Sequence, residues 1–158
     1  MHPRIASYVA ALVLAGCATP GADTGKAPEK ARAEKGAARM PSGALTLEAY
    51  KRDIAQRIAR NNAAKVYDGR PQALLRSVVV LKYVVDAQGN LVKSEILRSN
   101  RDRETEATAL ASLRNSAPFP QPAAHLLRHG RLELAETWLF NNDGRFQLRT
   151  IAEPQMDS

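Results

Sequence analysis

The chain has 158 residues, with 23 Lys and Arg against 16 Asp and Glu, a formal net charge of +7, and only 5% aromatic residues. That length suits one small domain and not two, and a core so poor in aromatics must rest on Leu, Val, Ile and Ala. Basic and acidic residues are interleaved without a long Lys/Arg block, which reads as a solvated surface; anionic lipid or an acidic protein surface also fits such a balance.

At the N-terminus Arg4 precedes an apolar run from Ile5 to Gly16, and Cys17 follows. The run is well short of the ~20 residues that a membrane-spanning helix needs. Small and polar residues come after it, as in a cleaved export signal rather than a stop-transfer segment. The four residues Leu14-Ala15-Gly16-Cys17 resemble a bacterial lipobox. That resemblance implies cleavage between Gly16 and Cys17 and lipidation of Cys17. Ala18 follows, not Asp, which by the same resemblance implies sorting to the outer membrane, on its periplasmic face. Two or more acyl chains suffice for stable anchoring, so the membrane is one expected partner, and export argues against nucleic acid as another. Cys17 is the sole cysteine, so no intrachain disulfide is available.

Residues 17–45 read as the lipidated cysteine and a flexible tether, dominated by Ala, Gly, Pro, Lys and Glu. Such a composition buries too little apolar surface to offset its ordering entropy. A coil of roughly 27 residues averages about 30 Å end to end and reaches about 90 Å fully extended. A domain is expected over 46–152, and a disordered tail over 153–158.

Thr46 is placed to cap a helix with Glu48 in its first turn. Leu47, Tyr50, Ile54 and Ile58 recur at helical spacing, with Lys51, Arg52, Gln56, Arg57 and Arg60 on the other faces, and Asn61-Asn62 ends it. This helix either packs on its own sheet or offers an amphipathic face to a partner. Leu74 to Val85, rich in β-branched residues, reads as a central strand partly covered on both sides. Asp86-Ala87-Gln88-Gly89-Asn90 is a hairpin turn, and Leu91 to Ser99 is the return strand. Asn100 or Asp102 caps a second helix with Glu104 and Glu106 early in it, and Ala107, Leu110, Ala111 and Leu113 form its apolar face. The prolines of Pro118-Phe119-Pro120-Gln121-Pro122 force an extended path. One or two helical turns are expected over 123–129. Leu132 to Phe140 alternates as a strand, Asn141-Asn142-Asp143-Gly144 is a hairpin turn, and Phe146, Leu148 and Thr150 alternate in a last strand. The fold class expected is α+β, a small antiparallel sheet of three to four strands with two main helices on it. Its core is expected to include Val80, Val84, Ile96, Leu110 and Trp138.

This order of elements resembles the C-terminal domain of TonB and its TolA-like relatives. The residues that carry it are Val78 to Asp86 leading into Gly89-Asn90-Leu91-Val92, then Ile96-Leu97-Arg98-Ser99-Asn100, the alanine-rich Glu106 to Leu113, and the Phe-Pro exit at Pro118 to Pro122. The match spans about residues 47–142. The lipoprotein signal in place of an uncleaved helix, the missing Pro-rich spacer and the extra hairpin from Glu136 to Ile151 all depart from the family. The resemblance thus implies fold and mode of contact: an envelope protein partner pairs an extended segment along a sheet edge. The alternatives are a TonB- or TolA-type energy-transducer component of outer-membrane transport, or a ligand carrier on the same fold.

Catalytic signatures are absent from the sequence. His125 and His129 are four apart and could share a metal on a helix, but no third ligand accompanies them. No cofactor motif occurs, and no enzyme is expected. The edge expected to receive a partner is the last hairpin strand, with Arg145, Gln147 and Arg149, or the strand that contains Trp138. The arginines favour an acidic segment, and the same charges also protect an edge from aggregation. The face of the first helix around Arg52, Gln56 and Arg60 is the other candidate surface.

Overall fold

The computed structural model describes residues 40–155. The expected export signal with Gly16 and Cys17, and most of the expected tether, lie outside the described residues. Two helices and four strands follow in the order α1 (Leu47–Asn61), β1 (Ser77–Asp86), β2 (Leu91–Arg98), α2 (Arg103–Asn115), β3 (Arg131–Phe140) and β4 (Phe146–Leu148). The fold is α+β: one antiparallel sheet of order β2-β1-β3-β4 with the two helices packed on it.

Capping and turn chemistry place the helix starts and the two hairpin turns where the sequence puts them, but the strand expected from Leu74 begins only at Ser77, and Leu74 is exposed. Thr46 Oγ1 accepts the Ala49 N–H at 3.2 Å and starts α1. The Asp102 carboxylate accepts the N–H groups of Glu104 and Thr105 and starts α2. Arg76 then bridges Asp102 and Glu104 at 2.8 and 2.6 Å, tying that helix start to the approach to β1. The two hairpins use one turn geometry. Gly89 N–H donates to Asp86 O and Asp86 N–H to Asn90 O; Gly144 N–H donates to Asn141 O and Asn141 N–H to Arg145 O. Gly89 (φ 83°) and Gly144 (φ 79°) supply the left-handed residue that this turn requires. At Gly89 close approach adds a second constraint, because a Cβ there would stand 2.0 Å from the Phe119 carbonyl oxygen.

The face that the sheet turns to the helices corrects the expected core. Val79, Leu81, Tyr83 and Val85 are fully or almost fully buried beneath the helices, while Val80 and Val84 lie half-buried on the open face. β1 carries apolar residues in both phases, so alternation alone does not choose between them. Lys82 and Asp86 share the phase of Val80 and Val84, and that is the face left to solvent. Ile96 stands on the edge strand β2 and is exposed, and Leu110 is only half-buried. Trp138 is completely buried, as expected. In α2 the buried positions are Thr105, Ala109, Ser112 and Leu113, with Ala107 exposed. In α1, Tyr50, Ile54 and Ile58 are buried, but Leu47 is exposed and Arg57 is drawn inside, where its Nε donates to Ser116 O at 2.8 Å. β4 stops at Leu148, short of Thr150.

The packed region also extends past the expected limits. Ala44 is buried, Ser42 bonds Gln121 and Asp53, and Pro41 pairs with Gln121. Residues of the expected tail are held too: Arg70 donates to the carbonyls of Pro154 and Gln155, and Gln155 Nε2 to those of Gln72 and Ala73.

Leu113→Ala, at a fully buried site, is expected to cost about 2–5 kcal/mol of stability in thermal or denaturant unfolding, and Leu110→Ala clearly less. Gly89→Ala combines a positive φ with backbone overlap at Phe119 and should lower the melting temperature more than Gly43→Ala, where nothing lies within 4 Å of the added Cβ. Equal shifts for the two glycines would refute the close-approach argument.

Candidate functional site

Backbone hydrogen-bonding capacity at the sheet edges defines the site. In an antiparallel ladder, successive residues of a strand direct their N–H and C=O alternately to the two neighbours. On β3, Phe140 O accepts Arg76 N–H on the β1 side, whereas Thr137 O accepts Arg149 N–H and Asn141 N–H donates to Arg145 O on the β4 side. Even-numbered residues of β3 therefore serve β1, and odd-numbered ones point outward.

The outer side of β3 is satisfied at its two ends. Leu139 pairs with Gln147 of β4, and Arg131 exchanges two backbone bonds with Arg128 at 2.8 and 3.0 Å. Thr137 N–H is taken by its neighbour's side chain, Glu136 Oε1, at 2.7 Å. Between these ends lie Glu133 and Ala135, both exposed, with outward N–H and C=O groups that the three-residue β4 does not reach. The strand containing Trp138 is thus central along its last residues and an edge along its middle.

Two clefts border this gap. One of about 620 Å³ is lined by Leu47, His125, Leu126, Arg128 and Glu133, among others. The other, about 300 Å³, is lined by Lys51, Arg52, Ala135, Glu136, Thr137 and Arg149, among others. The first turns of α1 wall both. Cations outnumber acids at each end of the gap: Lys51, Arg52 and Arg149 stand with the buried Glu136 and with Glu48, 3.7 Å from Lys51, at one, and Arg128 and Arg131 with Glu133 at the other, the apolar Leu47 and Leu126 alongside.

Glu136 sets the inner limit of the gap. It is almost fully buried between Leu134 and Trp138 on the helix side of the sheet. Burial pushes its carboxyl above the ordinary range, against hydrogen bonds from Thr150 and Thr137 and the nearby charge of Lys51. Its Oε1 receives Thr137 N–H and Thr150 N–H, so a side chain takes these donors where a continued β4 ladder would.

The edge expected at the last strand is closed by the chain itself. Phe146 O accepts Tyr67 N–H, and Leu148 O accepts the N–H groups of Ile151 and Ala152. Gln147 Nε2 donates to the carbonyls of Tyr67 and Gly69. Arg145 is engaged by Asp143 at 2.6 Å and lies 5.3 Å over the Tyr67 ring. Gln147 and Arg145 therefore hold the domain's own loops, and Arg149 alone of the three faces the gap. Glu133 and Ala135 belong to the strand containing Trp138, the other edge expected from the sequence, but the sequence pattern singles out neither them nor Lys51, and the short return run before Pro154 is the signal that the outer side of that strand stays open. Arg52, Gln56 and Arg60 are exposed on α1, and only Arg52 borders the gap.

His125 and His129 are not brought together on a helix. The 3₁₀ turn covers only Ala124–Leu126, His125 Nε2 lies 2.8 Å from Leu45 O, and His129 sits at positive φ in the turn before Gly130. Among the described residues no group of three His, Cys, Asp or Glu side chains is placed to hold a metal, and no helix is long and apolar enough to cross a membrane. No protein-family model, curated protein or solved structure matches the chain.

Because the folded-state pKa of Glu136 is raised, its protonated form favours folding and its ionisation opposes it. That contribution is complete below the ordinary carboxylate pKa and is lost as pH rises through the raised one. Glu136→Gln keeps an acceptor and removes the ionisation. Relative to wild type, the variant should therefore be more stable at pH 7 than at pH 4. A stability difference that does not change with pH, followed by chemical denaturation, would contradict the assignment.

Proposed function

We propose that this chain is a lipid-anchored, periplasmic protein-binding module of the outer membrane that takes an extended acidic segment of an envelope protein onto the outer edge of β3. The observation that carries the reading is the gap at Glu133 and Ala135, bounded by a basic corner at either end. A strand entering there continues the line of β4. Main-chain bonds to Glu133 and Ala135 supply affinity, and alternate side chains select the partner. Lys51, Arg52 and Arg149 at one end and Arg128 and Arg131 at the other steer acidic residues into register. The resemblance to the TonB C-terminal domain supports strand addition as the mode of contact. The motif Leu14-Ala15-Gly16-Cys17 supports the anchor, which keeps the domain near the membrane while the tether lets it search.

The binding edge is tested with proline. Ala135 directs its N–H outward, so Ala135→Pro removes a partner bond and leaves the β1 ladder intact, the one setting in which a strand tolerates proline. It is expected to abolish recovery of the crosslinked envelope partner from intact cells while circular dichroism stays native. Gln147→Pro, by contrast, strikes the ladder to Leu139 and should unfold the hairpin. Lys51→Glu with Arg149→Glu should weaken capture about tenfold, roughly 1.4 kcal/mol. What binding remains should be less sensitive to salt, since exposed charges are screened over about 8 Å at physiological ionic strength. Wild-type capture by folded Ala135→Pro would eliminate the site.

The anchor is read separately, by mass spectrometry of the protein isolated from membranes. An acylated Cys17 as the first residue is the expected result, and Cys17→Ser should leave the precursor unprocessed. Retention of residue 1 would instead favour an energy-transducer with an uncleaved N-terminus.

A further inference from the structure

The opposite edge of the sheet has a different chemistry. β2 pairs with β1 at Val84↔Lys93 and Lys82↔Glu95, on the side where Asp86 N–H meets Asn90 O. Lys93 and Glu95 thus turn their backbone groups inward, and Ser94 and Ile96 turn theirs to solvent. Val92, Ile96 and Leu97 are 45, 38 and 54% exposed. Three of the nine exposed large apolar side chains among the described residues therefore stand on this one strand, so the edge is sticky as well as unpaired.

The strand is also complementary to itself. Run antiparallel to a copy about a dyad through Ser94, it sets Ser94 opposite Ser94, Val92 opposite Ile96, and Lys93 opposite Glu95, twice over. The parity agrees at the dyad, since Ser94, whose backbone groups are free, meets Ser94 of the copy, while Ile96 meets Val92 at the bulge. Opposite charges and apolar pairs directly across a ladder are the stabilising arrangements. We propose that β2 pairs with β2 of a second copy of this chain about Ser94, joining two four-stranded sheets into one continuous sheet.

Two irregularities sharpen the choice of partner. β2 shifts register against β1 between Val84 and Val85 and again between Val80 and Leu81, which leaves Lys93 to Ile96 as its regular stretch. Bulges twist an edge away from a flat foreign strand, whereas a second copy brings the same bulges, related by the dyad. Glu95 is held at a pKa of about 2 by hydrogen bonds from Lys93 and Lys82, so the charge that the pairing uses persists throughout the neutral range. β2 lies at the far side of the sheet from the gap on β3, so pairing leaves that gap open and stands whether or not the gap binds a peptide.

The test uses the full chain with Cys17→Ser, which makes any added thiol the sole one. Ser94→Cys places two thiols on backbones about 5.5 Å apart at the Cα atoms, inside the disulfide range of about 4.4–6.8 Å. Gln56→Cys, exposed on α1, is the collision control. Under mild oxidation Ser94→Cys should form the disulfide dimer about tenfold faster than Gln56→Cys or more, because association raises the local thiol concentration. Lys93→Glu or Glu95→Lys, each added to Ser94→Cys, should slow it to the control rate. Mixing these two charge variants should restore it as a mixed dimer. Equal rates at positions 94 and 56 would overturn the proposal, as would charge variants that crosslink like the parent or a mixture without preference for the mixed dimer.

Discussion

The buried indole N–H of Trp138 must find an acceptor inside the core, and the polar side chains buried in the helix layer are arranged around that need. Trp138 is fully buried, and its Nε1 donates to Ser112 Oγ at 2.9 Å. Ser112 Oγ–H donates to Ala109 O, and Ser116 Oγ–H donates to Ser112 O. Asn62 Nδ2 reaches Ile58 O, Ser112 O and Ser116 Oγ, and Arg57 Nε reaches Ser116 O. One seam thus fastens β3 to α2 and the C-terminal end of α2 to that of α1. An orphaned buried donor costs about 1–3 kcal/mol, so the seam fixes which turn of each helix lies over which strand residue.

That seam has a consequence at the other end of α1. With the last turns of both helices drawn toward Trp138, the first turns of α1 come to rest beside the middle of β3, where Leu47, Lys51 and Arg52 border the unpaired stretch. The packing that completes the core therefore also furnishes the wall of the groove. Glu136 joins the two. It sits one residue from the open edge and two from Trp138, and its carboxylate diverts Thr137 N–H and Thr150 N–H from further strand pairing. A buried carboxylate is an expensive way to end a ladder. Here the cost falls where it keeps β4 short.

The two edges divide the sheet into surfaces of unlike character. The β3 gap is short and walled by a helix with Lys51, Arg52 and Arg149 beside it, which is what the proposed acidic segment would use. The β2 edge is apolar, charge-alternating and bulged, which is what the proposed pairing with a second copy would use. In both proposals the backbone supplies the bond and the side chains supply the choice.

Much of this architecture is determined by the sequence alone. Thr46 and Asp102 announce their helices because their side chains satisfy the first orphan N–H groups, and Gly89 and Gly144 mark both hairpins because the turn needs a positive φ. The buried phase of β1 was not settled by its alternation, because Val78, Val80 and Val84 match Val79, Leu81 and Val85 in kind; the helices chose the face without Lys82. Nor did local pattern reveal that Phe146 and Leu148 are sealed by Tyr67, Ile151 and Ala152, or that Glu133 and Ala135 are left open. Whether a strand is an edge depends on which backbone groups find partners, and those partners lie far off in the chain, as Tyr67, whose N–H donates to Phe146 O, does from Phe146. A side-chain period reports on faces, and the hydrogen-bond inventory that makes an edge exists only once the chain has closed on itself.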